Sequence, residues 1–267
     1  MAESPRLETI SLAGTRIACL TRHQVVEFVG TELKAGRGGW VITTNVDHLQ
    51  RATADARLRG HYDEARLVVA DGVPLLWAAR LQGTPLPDRV AGSDLVWLLA
   101  EHAAHAGGRL YLLGGAPGTA AATASRLRDR WASLDIAGWS SPRISEIPST
   151  EELTELAAAL GDTRPSIVYV ALGSPKTEHL ISALHRQFPS VWWVGVGISF
   201  SFIAEQVRRA PTWMQRSGLE WLHRLIQEPR RLARRYLIDD IPFLIRLMLR
   251  SWRTRQLESR GPRITAK

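Results

Sequence analysis

Residues Arg66 to Asp94 read RLVVADGVPLLWAARLQGTPLPDRVAGSD, and the start of this stretch sets the fold class. Leu67 to Ala70 is a short apolar run suited to a buried strand, and Asp71-Gly72 breaks it where the strand should end. A carboxylate is left at a strand's C-terminal end, where open α/β sheets gather ligand chemistry. Val73 to Leu81 then reads as a helix, Thr84 to Asp88 as a proline-bounded loop, and Arg89 to Asp94 as the lead into another helix. An aspartate before glycine is also an ordinary helix N-cap or turn residue. The stretch alone leaves Asp71 open between the two roles.

Working outward, the same alternation recurs. Towards the N-terminus, Thr9 to Leu12 and Ile17 to Leu20 read as a hairpin, Thr21 caps a helix from Arg22 to Lys34, and Trp40 to Thr43 is a core strand. Thr44-Asn45 opens a helical region, Val46 to Glu64. Asn45, Asp47 and His48 put short polar groups at that junction, where capping is the simpler reading and His48 suits a surface or half-buried position. Towards the C-terminus, Arg109 to Leu113, Ile136 to Trp139, Ser166 to Leu172 and Val191 to Val196 read as strands with helices between them. The expected fold is α/β: a Rossmann-like, mainly parallel sheet with helices on both faces. Gly114 and Gly115 precede a helix and would let backbone N–H groups approach a phosphate. The full dinucleotide fingerprint and the P-loop lysine are missing, so a plain tight turn stands beside that reading. Lys176, near the start of the helix after Pro175, could reach an anion.

The chain has 267 residues, one cysteine and a formal charge of +8. Cys19 alone cannot form an intrachain disulfide or a cysteine-rich metal site, which suits a reducing, cytoplasmic setting. The polar start MAESPRLETI carries no signal-peptide pattern, and the last long apolar pattern is broken by Arg246 and Arg250. The charge is unevenly placed, since from Arg208 onward fifteen Lys and Arg face five Asp and Glu. The composition changes near Ala210-Pro211, dividing a core over residues 1–210 from a basic helical appendage over 211–267. There Trp213 to Ile226, Glu228 to Leu237 and Ile241 to Leu257 read as helices carrying leucines and aromatics among arginines. Such helices suit the surface of an anionic membrane, with a solvated face packed on the core as the simpler reading. The expectation is a protein peripheral to the inner face of the cell membrane. Two other readings stay open at this level: a Rossmann-type oxidoreductase and a basic nucleic-acid-binding protein.

Several blocks, in order, resemble the WecG/TagA/CpsF family of bacterial glycosyltransferases, also called glycosyltransferase family 26. They are Thr43-Thr44-Asn45, Ala70-Asp71-Gly72-Val73, Arg89 to Asp94, Leu112 to Gly118, Leu172 to Glu178, Gly195-Val196-Gly197, Arg208 to Pro211, Gly218 to Leu225 and Glu228 to Arg231. The resemblance implies inverting transfer of a sugar from a UDP-sugar to a polyprenyl-diphosphate-linked acceptor, with no cofactor, no required metal and no nucleic-acid partner. It implies Asp71 as general base, with Thr43 and Asn45 beside it. In place of the cation that an Asp-x-Asp motif would hold, it offers Arg89, Arg224 and Arg231; the chain contains no such motif. Gly114, Gly115, Pro175, Lys176, Thr177, Glu178 and Gly197 fall on the donor side. Two positions depart from the family pattern, Thr177 where glutamine is common and Ser201 after Phe200 where aspartate is common. Both bear on the donor sugar, N-acetylmannosamine-type or glucose-type. Oligomeric state is left open, a homo-oligomer included.

Overall fold

The computed structural model describes residues 7–260. Arg263 and Lys267 of the basic tail, and the polar start up to Arg6, lie outside them. An antiparallel hairpin comes first, β1 (Thr9–Leu12) and β2 (Thr15–Ala18). Ala13 and Gly14 both take positive φ, the geometry of a two-residue hairpin turn, so the second strand starts earlier than the Ile17 expected. Helix α1 (Arg22–Lys34) follows with a Thr21/Gln24 capping box.

The main sheet is then laid down as β3 (Gly39–Thr44), α2 (Val46–Ala54), α3 (Ala56–Glu64), β4 (Leu67–Ala70), α4 (Val73–Gln82), α5 (Gly92–Ala106) and β5 (Arg109–Gly114). It continues through α6 (Thr119–Arg130), β6 (Asp135–Ser140), α7 (Thr150–Thr163), β7 (Ile167–Ala171), α8 (Lys176–Leu184), β8 (Trp192–Gly195) and α9 (Ser199–Ile203). Six strands pair in the order β4-β3-β8-β7-β5-β6, all parallel. The helical region expected over Val46 to Glu64 is two helices, because the Asp55 carboxylate accepts the Arg57 N–H at 2.8 Å and restarts the chain as α3.

Both faces of the sheet are covered, so successive side chains of one strand serve two cores. Trp192 belongs to the cluster with α1, α5, α6 and α9, and the next residue, Trp193, to the cluster with α2, α3, α4, α7 and α8. The order of the strands dictates this split. Connections stepping towards β4 fall on the second face, and the helix between β5 and β6, which steps the other way, falls on the first. Helices leaving β3 and β7 thus diverge from those leaving β8 and β5, which opens a crevice at the strands' C-terminal ends.

The C-terminal helices close over that crevice. They are α10 (Thr212–Ser217), α11 (Glu220–Gln227), α12 (Pro229–Arg234), a π-helical turn at Arg235–Asp240 and α13 (Ile241–Arg260). The helix expected from Trp213 to Ile226 is divided at Gly218, which has φ +77°; a Cβ there would lie 3.0 Å from Val73 Cβ, so the appendage touches α4 at this point. Pro242 does not interrupt the chain, since it sits in the first turn of α13 and the π-turn precedes it. Helix α13 lies along α4, and Phe243 and Leu247 are buried in the second core. Leu237, Ile238, Ile245, Leu249 and Trp252 are exposed.

Candidate active site

The crevice holds a cavity of about 1170 Å³, lined by the ends of β3, β7 and β8, the residues after β4, the turn after β5, and the C-terminal helices. That exceeds the roughly 300–1,000 Å³ of a single small-ligand pocket. Asp71, Thr43, Asn45, Arg89, Gly115, Thr177, Glu178, Gly197, Arg224 and Arg231 all line it.

Asp71 stands where the sequence puts it, directly after β4, with its N–H donating to Thr44 O at 2.6 Å. It does not cap its own helix. Gly72 is the N-cap of α4, without a side-chain cap. Instead Val90 N–H donates to Ala70 O at 2.8 Å, drawing the segment before α5 alongside, and Gly92 N–H at the start of α5 donates to the Asp71 carboxylate. Gly92 leaves little room for a side chain: a Cβ would lie 3.2 Å from both Gly195 O and Thr43 Oγ1. Burial pushes the Asp71 carboxyl up to about 7; the Arg89 guanidinium and the Gly92 N–H pull it down, while Glu220 and Asp94 push it further up. A carboxylate with that affinity for protons is poised for general-base work at neutral pH.

An ion network surrounds it. Arg89 donates to Glu220 Oε2 at 2.8 Å, with Asp94 Oδ2 at 3.4 Å and Gln215 Oε1 at 3.5 Å. Asp94 also holds Arg209 at 2.8 Å and Arg22 at 3.4 Å, and Arg22 pairs with Asp88 at 2.8 Å. Core and appendage are therefore joined by charge beside Asp71. Thr43 Oγ1 donates to Gly195 O at 3.3 Å, and Asn45 Oδ1 accepts the His48 N–H at 3.0 Å, capping α2 while it lines the cavity. Arg224 Nε is buried with no hydrogen-bond partner, and Arg231 is an exposed rim residue paired with Glu228.

The family model for the glycosyl transferase WecG/TagA/CpsF family matches residues 10–257. The chain belongs to that family. A curated relative from Bacillus spizizenii, N-acetylglucosaminyldiphosphoundecaprenol N-acetyl-beta-D-mannosaminyltransferase, is 30% identical over 204 residues, which span 76% of this chain and 77% of the relative. The protein is thus a glycosyltransferase, and the oxidoreductase reading falls away.

Other positions quoted for the transferase resemblance are not all at the cavity wall. Gly114 has φ +103°, and a Cβ there would meet Ala171 at 2.8 Å, so it packs β5 against β7 while Gly115 faces the cavity. Pro175 is the N-cap of α8, and Lys176 Nζ donates to Ile144 O at 2.7 Å; neither lines the cavity. Thr177 and Ser201, the two departures from the family pattern, both do.

Sequence reasoning missed a second ionic joint. Asp47 is buried between Arg51 at 3.0 Å and Arg235 of the appendage at 2.8 Å, with Asp240 close by. Burial and the neighbouring Asp47 raise the Asp240 carboxyl to about 6, against the pull of Arg235. The i,i+4 spacing of Asp47 and Arg51 was a visible signal; the arrival of Arg235 from far along the chain was not. Among the described residues no cluster of three His, Cys, Asp or Glu has a metal-holding arrangement.

Proposed function

We propose that the protein transfers a hexose from a UDP-sugar, with inversion and without a metal ion, to the sugar of a polyprenyl-diphosphate-linked acceptor at a membrane surface. The observation that carries this reading is Asp71: a carboxyl pushed up to about 7, lining a large cavity beside Arg89. Ionised Asp71 takes the proton of the acceptor hydroxyl as its oxygen bonds to the donor's anomeric carbon. The bond from that carbon to the diphosphate breaks on the opposite face, and UDP departs. Arg224 and Arg231, with Arg89 and the helix N-termini, answer the charge on the leaving diphosphate. Thr43 and Asn45 orient the base and the hydroxyl.

The relative's name specifies a GlcNAc-diphosphoundecaprenol acceptor and an N-acetylmannosaminyl donor group. We carry over the acceptor; Thr177 and Ser201 leave N-acetylmannosamine-type and glucose-type donors as the candidates. Residues 1–210 form the transferase core, and 211–267 form the appendage that meets the bilayer. Exposed Ile238, Ile245, Leu249 and Trp252 among arginines support that contact. No described helix is long and apolar enough to cross a membrane.

The test is a panel of UDP-sugars incubated with GlcNAc-diphosphoundecaprenol and EDTA, scored by product mass and by the anomeric C–H coupling of the product in NMR. A single added hexose with the anomeric configuration opposite to the donor's is expected. Absence of product with every donor, or product only when divalent metal is restored, contradicts the reading. Anionic vesicles should accelerate turnover on the lipid acceptor relative to neutral ones.

A further inference from the structure

The cavity wall away from Asp71 carries polar groups that no transfer step described above employs. Thr177 and Glu178 stand on the first turn of α8, are 5% and 4% exposed, and line the cavity. Thr177 Oγ1 and Glu178 Oε2 are buried with no hydrogen-bond partner. Across from them, His48 on the first turn of α2 also lines the cavity, and its Nδ1 is buried and unpartnered in the same way. The Asn45 side chain fixes the backbone of that turn. Burial holds the His48 ring below the usual histidine range, while the Glu178 charge pulls it back up, so the two groups sense each other.

Buried polar atoms are nearly always satisfied, and three orphans lining one cavity call for a common partner. That partner must donate to a carboxylate, which an ionised diphosphate, an acceptor only, cannot do. It must also meet a hydroxyl and a neutral imidazole, each able to donate or accept. Adjacent hydroxyl groups on a sugar ring do all of this, since each O–H donates once and accepts as well.

We propose that His48, Thr177 and Glu178 form a diol-binding subsite for the donor, with Glu178 accepting from a hydroxyl pair and His48 completing it. The subsite rests on the UDP-sugar reading and names the donor feature recognised. Two parts of such a donor carry the chemistry, the ribose and the transferred hexose. Thr177, a departure from the family pattern, would then help set which sugar fits.

The test compares wild type with Glu178→Gln and His48→Asn, measuring dissociation constants for UDP and 2′-deoxy-UDP and the KM for the UDP-sugar turned over. If the ribose is the partner, wild type binds UDP about 10–100-fold tighter than 2′-deoxy-UDP, as hydrogen bonds to a charged group imply, and Glu178→Gln erases the difference. If the hexose is the partner, both nucleotides bind the variants normally while KM for the UDP-sugar rises by a similar factor. Either result supports the subsite. Variants matching wild type on all three ligands, or losing UDP and 2′-deoxy-UDP equally, overturn it and leave the transferase reading intact. Wild type binding no uridine nucleotide would instead defeat the donor class on which both rest. Because Gln keeps the shape and removes an unpaired buried charge, Glu178→Gln should melt no lower than wild type. A large drop in melting temperature would mark Glu178 as structural and also overturn the subsite.

Discussion

Two stretches of the cavity wall differ in how far their polar groups already have partners. Around Asp71, Arg89 contacts Glu220, Asp94 and Gln215, and Asp94 in turn holds Arg22 and Arg209. Elsewhere in the cavity Thr177, Glu178 and His48 each present an atom with none. The first arrangement is a charge environment fixed before substrate arrives, which is what transition-state stabilisation requires. The second is complete only when something else supplies the hydrogen bonds, which is what recognition requires. On the proposed reading, chemistry and selectivity occupy different stretches of that wall, and the contrast can be attacked from either side.

The strongest attack is on Asp71, the proposed base. Asp71→Asn should lower kcat by roughly 10²–10⁴-fold while UDP binding measured by calorimetry stays unchanged. A variant with near-normal turnover would remove the chemical meaning of the paired wall. Next in size is Leu247→Ala, which empties a buried position where α13 lies against α4. It should cost about 2–5 kcal/mol in denaturant unfolding, and activity should fall with it if docking of the appendage completes the paired wall. Unchanged activity in a destabilised protein would show that the wall stands without α13.

Glu220→Gln sharpens the contrast more gently. It removes one partner of Arg89, so turnover should fall roughly tenfold at pH 7, about the scale of one charge-assisted hydrogen bond, and it also removes one negative charge that raises Asp71. The acid limb of the rate profile should also move to lower pH. A limb moving upward would contradict the assigned sign. The smallest effect is on stability. Asp71 holds its proton more tightly folded than unfolded, so between the unfolded value near 4 and the folded value of about 7 the native state binds more protons. Its contribution is therefore full at acid pH and is lost as pH rises through that window. Asp71→Asn should raise the melting temperature at pH 8 by about 2–4 °C and leave it nearly unchanged at pH 4. An equal shift at both pH values would separate the effect from ionisation.

Much of the core was legible because its signals are local. Leu67 to Ala70 and Ile167 to Ala171 announce buried strands by apolar, β-branched runs, and Asp71-Gly72 marks a strand end wherever the strand lies in the sheet. The appendage was harder to read. Gly218 breaks a helical pattern because Val73 approaches it from α4, and Arg235 meets Asp47 from far along the chain; neither contact leaves a trace in the neighbouring residues. Asp71 itself was ambiguous for the same reason. Its position before Gly72 fits a cap, and only the return of Val90 and Gly92 beside it turns the carboxylate towards α5 and the cavity. Lys176 shows the opposite limit: a cation at a helix start suggests an anion, yet the Ile144 carbonyl occupies it.

The pH dependence of kcat/KM for the wild-type enzyme on a UDP-sugar tests the assignment of Asp71 most directly. The rate should climb tenfold per pH unit on the acid side and level off above about 7, where the Asp71 carboxyl has released its proton. A profile already flat from about pH 5 upward, with its acid limb near the ordinary carboxylate value of about 4, would contradict it.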